Sequence, residues 1–245
     1  HHVSVIESKG SGQILKVQIR GYVESKKALP VQPEGDDVFS PDHAIAEHLF
    51  QVLRGSNNLV FPNSRTQVEW FADNLRRRCE QDGVPNEFWP HHGSLAKDIR
   101  EETEKALKGG DRPATAVCTT TLELGVDIGS IKTVVQIGAP PSVASLRQRL
   151  GRSGRRPGEA AILRSYCKER QLDDGSPLSD RLRQGLLQSI AMIRLLMQGW
   201  FEPPRVQGLH LSTLVQQCLS VIAQRGGATA AELWSTLIRS GPFAG

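Results

Sequence analysis

Cys118-Thr119-Thr120-Thr121-Leu122-Glu123-Leu124-Gly125-Val126-Asp127-Ile128 continues an apolar, β-branched run that begins at Ala114. It carries a threonine, a glycine six positions later and an aspartate two further on. A short apolar run bounded by turn residues predicts a strand buried on both faces, which is the signature of a parallel sheet. Hydroxyls and backbone amides at the carboxyl end of such a strand stand where phosphates are met. Asp127 is able to accept a hydrogen bond from a ribose hydroxyl or from an arginine. Taken singly, each of these features is more often a plain strand-end turn.

The same pattern extends to either side. Residues 13–20 alternate apolar and polar and predict a half-buried strand, followed by a Pro-, Gly- and charge-rich loop over about 25–40. Ser40-Pro41-Asp42 supplies an N-cap, a proline at the first helical position and an acid in the first turn. Ile45, Leu49, Val52 and Leu53 then form an apolar stripe that ends at Gly55, before a strand over Asn58–Phe61. Thr66 with Glu69 reads as a capping box opening a helix whose buried face is Val68, Phe71, Leu75 and Cys79. Glu87–Trp89 predicts a strand, and Ser94 caps a helix to about Lys108, with Glu101–Lys105 and Glu104–Lys108 as pairs on its solvated face. Thr133–Ile137 is another buried strand, Ser142 starts an arginine-bearing helix, and Glu159–Tyr166 is the last strand. Strands alternating with amphipathic helices predict an α/β domain with a mainly parallel sheet over residues 1–168.

Beyond Asp173-Asp174-Gly175-Ser176-Pro177 only helix is expected. Leu182, Leu186, Leu187, Ile190, Ile193, Leu196, Met197 and Trp200 trace one face of a helical connector over 169–205. Segments 212–225 and 229–239, joined through Gly226-Gly227, read as the opening of a helix-turn-helix or winged-helix unit over 206–245, whose third helix or wing would lie past Gly245. Trp70, Trp89, Trp200 and Trp234 are expected in the core or at domain contacts rather than stacked on bases.

Composition narrows the function classes. With 38% hydrophobic and 23% charged residues, the 245-residue chain is globular in composition. Ile131–Ala139, among its longest apolar stretches, contains Lys132 and Gln136 and falls far short of the roughly 18 residues of a membrane span. Cys79, Cys118, Cys167 and Cys218 lie dozens of residues apart, which excludes a Cys₄ zinc site and suits a reducing compartment. His91-His92 has no carboxylate or cysteine at ligand spacing and reads as a strand-end pair, so no metal ligands are assigned. The net charge of +4 is uneven: Arg147, Arg149, Arg152, Arg155 and Arg156 contribute +5 within ten residues, leaving the remainder at −1. Aromatic residues are only 5%, which weakens a stacking platform for single strands. The expectation is a focused anion site rather than a diffuse basic surface.

Gln148-Arg149-Leu150-Gly151-Arg152-Ser153-Gly154-Arg155 is the most specific segment. Three residues apart on a helix, Arg152 and Arg155 would share a face and converge on one anion, while Gly151 and Gly154 let another surface approach. Guanidinium forks suit phosphoryl oxygens and the charge that develops in phosphoryl transfer.

In this order, Thr119-to-Asp127 followed by Gln148-to-Arg155 resembles motifs V and VI of superfamily 2 helicases. Leu59-Val60-Phe61-Pro62-Asn63-Ser64-Arg65 resembles motif IV, and His91-His92-Gly93-Ser94-Leu95 the segment after it. Leu-Glu-Leu-Gly-Val-Asp (122–127), Gln-Ile-Gly-Ala-Pro (136–140) and the arginine segment are similar to the large helicase-related (Lhr) branch, in which a winged helix follows the second motor domain.

The resemblance implies a RecA-like second motor domain. In such motors two RecA-like domains sandwich ATP, and the second supplies arginine fingers. Arg152 and Arg155 would then be catalytic and reach the γ-phosphate. Gly125, Asp127, Gln148 and Arg149 would lie at the nucleotide, and Asn63, Ser64, Arg65, His92, Gly93 and Thr119 would line one nucleic-acid strand. ATP and Mg²⁺ would be held mainly by an N-terminal RecA-like domain of the same protein. These residues contain no G-x-x-x-x-G-K-[ST] loop, Gly10–Lys16 being the nearest approach, and no Asp-Glu pair for Mg²⁺. The chain is therefore expected to be the C-terminal motor part of an ATP-dependent helicase or translocase, unable to hydrolyse ATP alone. Its expected partner is nucleic acid, as single strand and duplex junction, DNA over RNA, in DNA repair, with a cytoplasmic or nucleoid-associated location and no membrane contact. The other readings are an ATP-independent nucleic-acid-binding module and the motor part of a restriction or defence complex.

Overall fold

The computed structural model describes residues 14–24, 40–109, 112–123, 126–156, 158–203, 210–239 and 243. Gly125 and most of the 25–40 loop lie outside them. Among the described residues, six strands build one sheet: β1 (Leu15–Glu24), β2 (Asn58–Phe61), β3 (Phe88–His91), β4 (Thr115–Cys118), β5 (Thr133–Ile137) and β6 (Ala161–Arg170). Their order is β1-β6-β5-β2-β4-β3, and every neighbouring pair is parallel. This is the RecA-like arrangement expected, with helices on both faces.

Side-chain alternation along the strands divides the core into two layers. Val60, Val117, Val135 and Tyr166 pack with α1 (Pro41–Leu53) and α2 (Arg65–Gln81) through Ile45, Leu49, Leu53, Val68, Phe71, Leu75 and Cys79. Leu59, Phe61, Ala116, Cys118, Val134 and Leu163 pack on the other face with Leu107, Leu146 and Ile193. Those three come from α3 (Lys97–Gly109), α4 (Val143–Leu150) and α6 (Gln184–Met197). Central strands β2, β4 and β5 are buried at every position, which is why they read as continuous apolar runs.

Several details differ from the sequence reading, because distant partners compete for side chains or extend a strand. Helix α2 begins one residue before Thr66, and Ser64 is its cap, accepting from Gln67 N at 3.2 Å. Glu69, the expected box partner of Thr66, bonds His92 Nε2 at 3.0 Å instead. On α3, Glu104 bonds His91 at 3.0 Å and Lys108 pairs with Asp127 at 2.8 Å, so neither serves the expected intrahelical pair. Strand β6 runs on to Arg170 because β1 stays in register with it to Glu24.

The helical segment after β6 is broken. Arg183 adopts a left-handed conformation (φ 51°) between the short α5 (Leu178–Arg181) and α6. Its guanidinium donates to Arg170 O at 2.9 Å, which ties the break to the end of β6. Ile193 is buried, whereas Leu182, Leu187, Met197 and Trp200 of the expected apolar face are exposed.

The chain divides into two compact units, 1–202 and 203–245. In the second, α7 (Leu211–Arg225) ends at Gly226, whose φ of 73° makes the turn. Helix α8 (Ala230–Leu233) follows and runs into a π-helical turn, Trp234–Arg239. Thr229 and Glu232 form a reciprocal capping box at the start of α8. Trp70 packs edge-on against His43 and Phe71, and Trp89 lies against the core, whereas Trp234, like Trp200, is exposed. No described helix is long and apolar enough to cross a membrane.

Glu202 joins the end of the first unit to α4. Its carboxylate accepts from Val143 N at 2.9 Å and Ala144 N at 2.8 Å, neutralising donors that the first turn leaves without helical partners. These backbone N–H bonds hold the carboxyl below its ordinary value of 4.5. A depressed folded-state value means the bond stabilises the fold above the ordinary glutamate range and is lost as pH falls through the lower value. Glu202→Gln should therefore lower the unfolding midpoint at neutral pH and flatten its fall on the acid side, measured by thermal melts across pH. A variant whose acid-side slope equals the parent's would contradict this.

Candidate functional site

Because every strand is parallel, the ends of β2, β3, β4 and β5 gather at one sheet edge. Asn63, Ser64 and Arg65 follow β2, His92 and Gly93 follow β3, Thr119 follows β4, and Gly138-Ala139 follow β5. The structure brings all six expected strand-contact residues to this edge, but they differ in what they present. Asn63 is exposed and donates Nδ2–H to Ala139 O at 3.0 Å. Arg65 is exposed and donates to Ser94 Oγ at 2.7 Å, joining the first turn of α2 to the loop after β3. Ser64 spends its hydroxyl oxygen on the helix cap. Gly93 faces open space, and Thr119 is half-buried with its N–H on His91 O at 3.2 Å. His92 is buried against Glu69. His91 bonds Thr121 Oγ1 at 2.8 Å and Glu104, so the two adjacent histidines serve different partners.

The arginine segment is not one continuous helix. α4 stops at Leu150, and Gly151 caps it with its N–H on Arg147 O at 2.9 Å. Arg152 and Arg155 therefore do not share a helical face, which corrects the sequence reading. The physical reason is that the chain after Gly151 is captured by β5's approach: Gly154 N bonds Ile131 O at 3.3 Å, and Ser153 Oγ donates to Lys132 O at 2.6 Å. The two arginines still come near each other by this other route. Burial, then the positive charge of Arg155, push the Arg152 guanidinium below its ordinary value.

Arg152 is almost wholly buried. Its Nε and Nη2 donate to Glu123 O at 3.0 and 2.7 Å, and Nη1 donates to Val126 O at 2.9 Å. The fork is thereby hung on the turn after β4. Arg155 is exposed, with Nε on Gly151 O at 3.0 Å. Asp127 is exposed beside them; Lys108, the Gly129 N–H and the Arg155 charge hold its carboxyl below the usual carboxylate range. Gln148 is exposed on α4. Gly125 lies outside the described residues.

Arg149, expected at the nucleotide, lies inside the fold. It is 3% exposed, with Nε on Glu123 Oε1 at 2.7 Å and Nη2 on the same oxygen at 2.5 Å. Its Nη1 donates to Gln136 Oε1, and its guanidinium lies 4.5 Å over the Phe61 ring. Ser145 Oγ adds a bond to Glu123 Oε1 at 3.0 Å. Sequence reasoning missed Glu123, Gln136 and Ser145. For Gln136 the signal was present: it is the polar side chain in an otherwise buried run, and buried polar groups are hydrogen-bonded.

Breaking this pair from one side strands a buried charge. Arg149→Met should cost about 3–5 kcal/mol in denaturant unfolding, and Glu123→Met a similar amount. The double variant should cost clearly less than the sum, because no lone charge remains. Additive losses would show that the two side chains do not depend on each other.

Residues 42–157 match the helicase conserved C-terminal domain family. The chain is 34% identical over 152 residues to the ATP-dependent helicase Lhr-Core of Methanocaldococcus jannaschii, covering 60% of this chain and 17% of that protein. It is 35% identical over 231 residues to the Lhr helicase/probable uracil glycosylase of Mycolicibacterium smegmatis, covering 82% of this chain and 14% of that one. The chain thus spans only about a sixth of the length of such relatives. The solved structure of Mycobacterium smegmatis helicase Lhr bound to ssDNA and AMP-PNP superposes with a TM-score of 0.69 at 27% identity, over 95% of this chain and 28% of that one. The motifs, the parallel sheet and these likenesses agree: the chain carries the C-terminal helicase domain of a superfamily 2 helicase of the Lhr type.

Proposed function

We propose that this domain is the second motor domain of an ATP-dependent nucleic-acid helicase or translocase, with DNA as the favoured track. The observation that carries the reading is that Arg152 hangs on the turn after β4, with Asp127 and the charge of Arg155 beside it, while the end of the same strand brings Thr119 to the sheet edge. Three N–H groups of Arg152 are fixed on carbonyls, which sets the plane of its fork. The other edge of that fork, together with Arg155, would meet the γ-phosphoryl oxygens as charge develops there. Asp127 would meet the ribose, and Gln148 contacts across the cleft.

This donor set suits phosphate. It consists of guanidinium N–H groups with one carboxylate already matched to Lys108, a chemistry that holds anions and not a divalent cation. ATP supplies the phosphoryl group whose transfer to water drives translocation. Mg²⁺ and most nucleotide contacts are assigned to an N-terminal RecA-like domain of the same protein. Asn63, Arg65, Gly93 and Thr119 grip a strand backbone at the sheet edge. Ser64 contributes through the α2 N-terminus that it caps, and His92 by fixing the loop after β3.

The finer assignments belong to the same reading. Residues 1–168 form the motor domain, 169–205 a connector, and 206–245 the start of a winged helix, supported by the α7–Gly226–α8 turn. A role in DNA repair and a cytoplasmic or nucleoid-associated location go with it. The ssDNA in the Mycobacterium smegmatis Lhr structure supports DNA over RNA.

In the intact protein, Arg152→Ala should lower strand-stimulated ATP turnover by about 10³–10⁵-fold while strand binding is largely kept. Lysine at 152 should not restore it, since an ammonium lacks the planar fork. Loss of strand binding with turnover preserved would sink the assignment.

A further inference from the structure

A chain of side-chain hydrogen bonds leads from the arginine site to the strand edge, and chemistry fixes the direction of every link. Arg149 has only donors, so Gln136 must turn Oε1 toward it. Gln136 Nε2–H then faces Asn63 and donates to its Oδ1 at 3.2 Å. Asn63 is left with Nδ2–H, which donates to the Ala139 carbonyl at 3.0 Å. No amide in the series can flip without setting donor against donor or acceptor against acceptor.

Both ends are anchored. At the inner end, Glu123 holds Arg149 through its carboxylate and Arg152 through its carbonyl. At the outer end, Gly138 has φ of 75°, and a Cβ there would stand 2.8 Å from Asn63 Nδ2, so only glycine lets Asn63 lie across the loop. A second contact runs beside the first: the Arg149 guanidinium over Phe61, two residues before Asn63.

Gln136 itself is 1% exposed, and its Nε2 has one further acceptor, Ile137 O at 3.2 Å. A buried donor or acceptor left unmade is costly, so neighbours in such a network move together. A displacement of Arg152 toward phosphate pulls on Glu123, and Arg149 must follow or lose its counter-ion. Gln136 must then rotate to keep Arg149, which withdraws its Nε2–H from Asn63.

We propose that Gln136 is the positioning residue that couples nucleotide engagement at Arg152 to the set of Asn63 at the strand edge. It touches neither nucleotide nor strand and acts through both neighbours. The inference rests on the reading that Arg152 meets the γ-phosphate and Asn63 meets the strand.

The test measures coupling directly in the intact protein. The dissociation constant of a labelled single-stranded DNA oligonucleotide is determined with and without a non-hydrolysable ATP analogue. Typical couplings between sites change affinity by about 5–150-fold. Gln136→Met should bring that ratio close to one, with the nucleotide-free strand affinity moved to the parent's nucleotide-bound value, because the bond that nucleotide withdraws is absent from the start. Asn63→Ala, at an exposed position that does not burden the core, should weaken strand binding and also bring the ratio close to one. Adding Gln136→Met to it should then change the ratio no further.

A parental ratio in either single variant overturns the proposal. So does a Gln136→Met protein whose strand affinity lies outside the range between the parent's nucleotide-free and nucleotide-bound values, because that marks a merely structural role. If Gln136→Met does not fold, the ratio in Asn63→Ala decides alone. A parent protein with no coupling at all overturns the relay and the function above together, whereas parental coupling that survives these variants removes only the relay.

Discussion

Taking the Arg149 guanidinium out of water is costly unless its fork is filled by acceptors and its charge is matched. Glu123 and Gln136 meet that requirement, and doing so fixes three pieces of chain against one another. Glu123 belongs to the turn after β4, Gln136 to β5, and Arg149 to the last turn of α4. Ser145, one turn earlier on α4, adds its hydroxyl to the same carboxylate. With the turn held in this way, the Glu123 and Val126 carbonyls are presented to Arg152, whose fork is thus oriented by the core rather than by a loop.

The five arginines that dominate the charge of this chain therefore do different things. Arg147 lies 4.3 Å over the Phe201 ring. Arg149 is internal, Arg152 is hung on main-chain carbonyls, and Arg156 sits 4.0 Å from Glu159. Arg155 is exposed, with one bond to the backbone and its charge felt by both Arg152 and Asp127. A run of +5 in sequence is thus divided between two buried arginines and three exposed ones. The sheet edge, in contrast, presents a mixture of amide, hydroxyl and guanidinium groups, which suits contacts to a backbone without reference to base identity.

Much of the first unit was legible because its signals are local. The β5 bounds agree with the sequence reading residue for residue, and β2 is likewise Asn58–Phe61, since fully buried parallel strands read as apolar runs between turn residues. The apolar face of α2 was legible from its spacing, while its cap was not, because Ser64 and Thr66 both satisfy the rule and only the partner of Glu69 decides between them. At the candidate site, spacing alone did not separate buried groups such as Arg149 from exposed ones, nor point to Glu123 and Ser145. Spacing put Arg152 and Arg155 on one helical face, yet helix α4 ends before either.

What the sequence determined by itself was the α/β alternation, the motif order and the resemblance they carry, because hydrophobic period and chemically specialised residues are properties of short segments. What only the tertiary structure decided was which charges are sequestered and which are offered. Glu123 with Arg149, Gln136 with Asn63, and Lys108 with Asp127 are 26, 73 and 19 residues apart, and no local rule relates them. Burial makes each unmatched polar group costly, so the fold selects partners by position in space, and those partners separate Arg149, matched inside the core, from Arg155, which stays exposed.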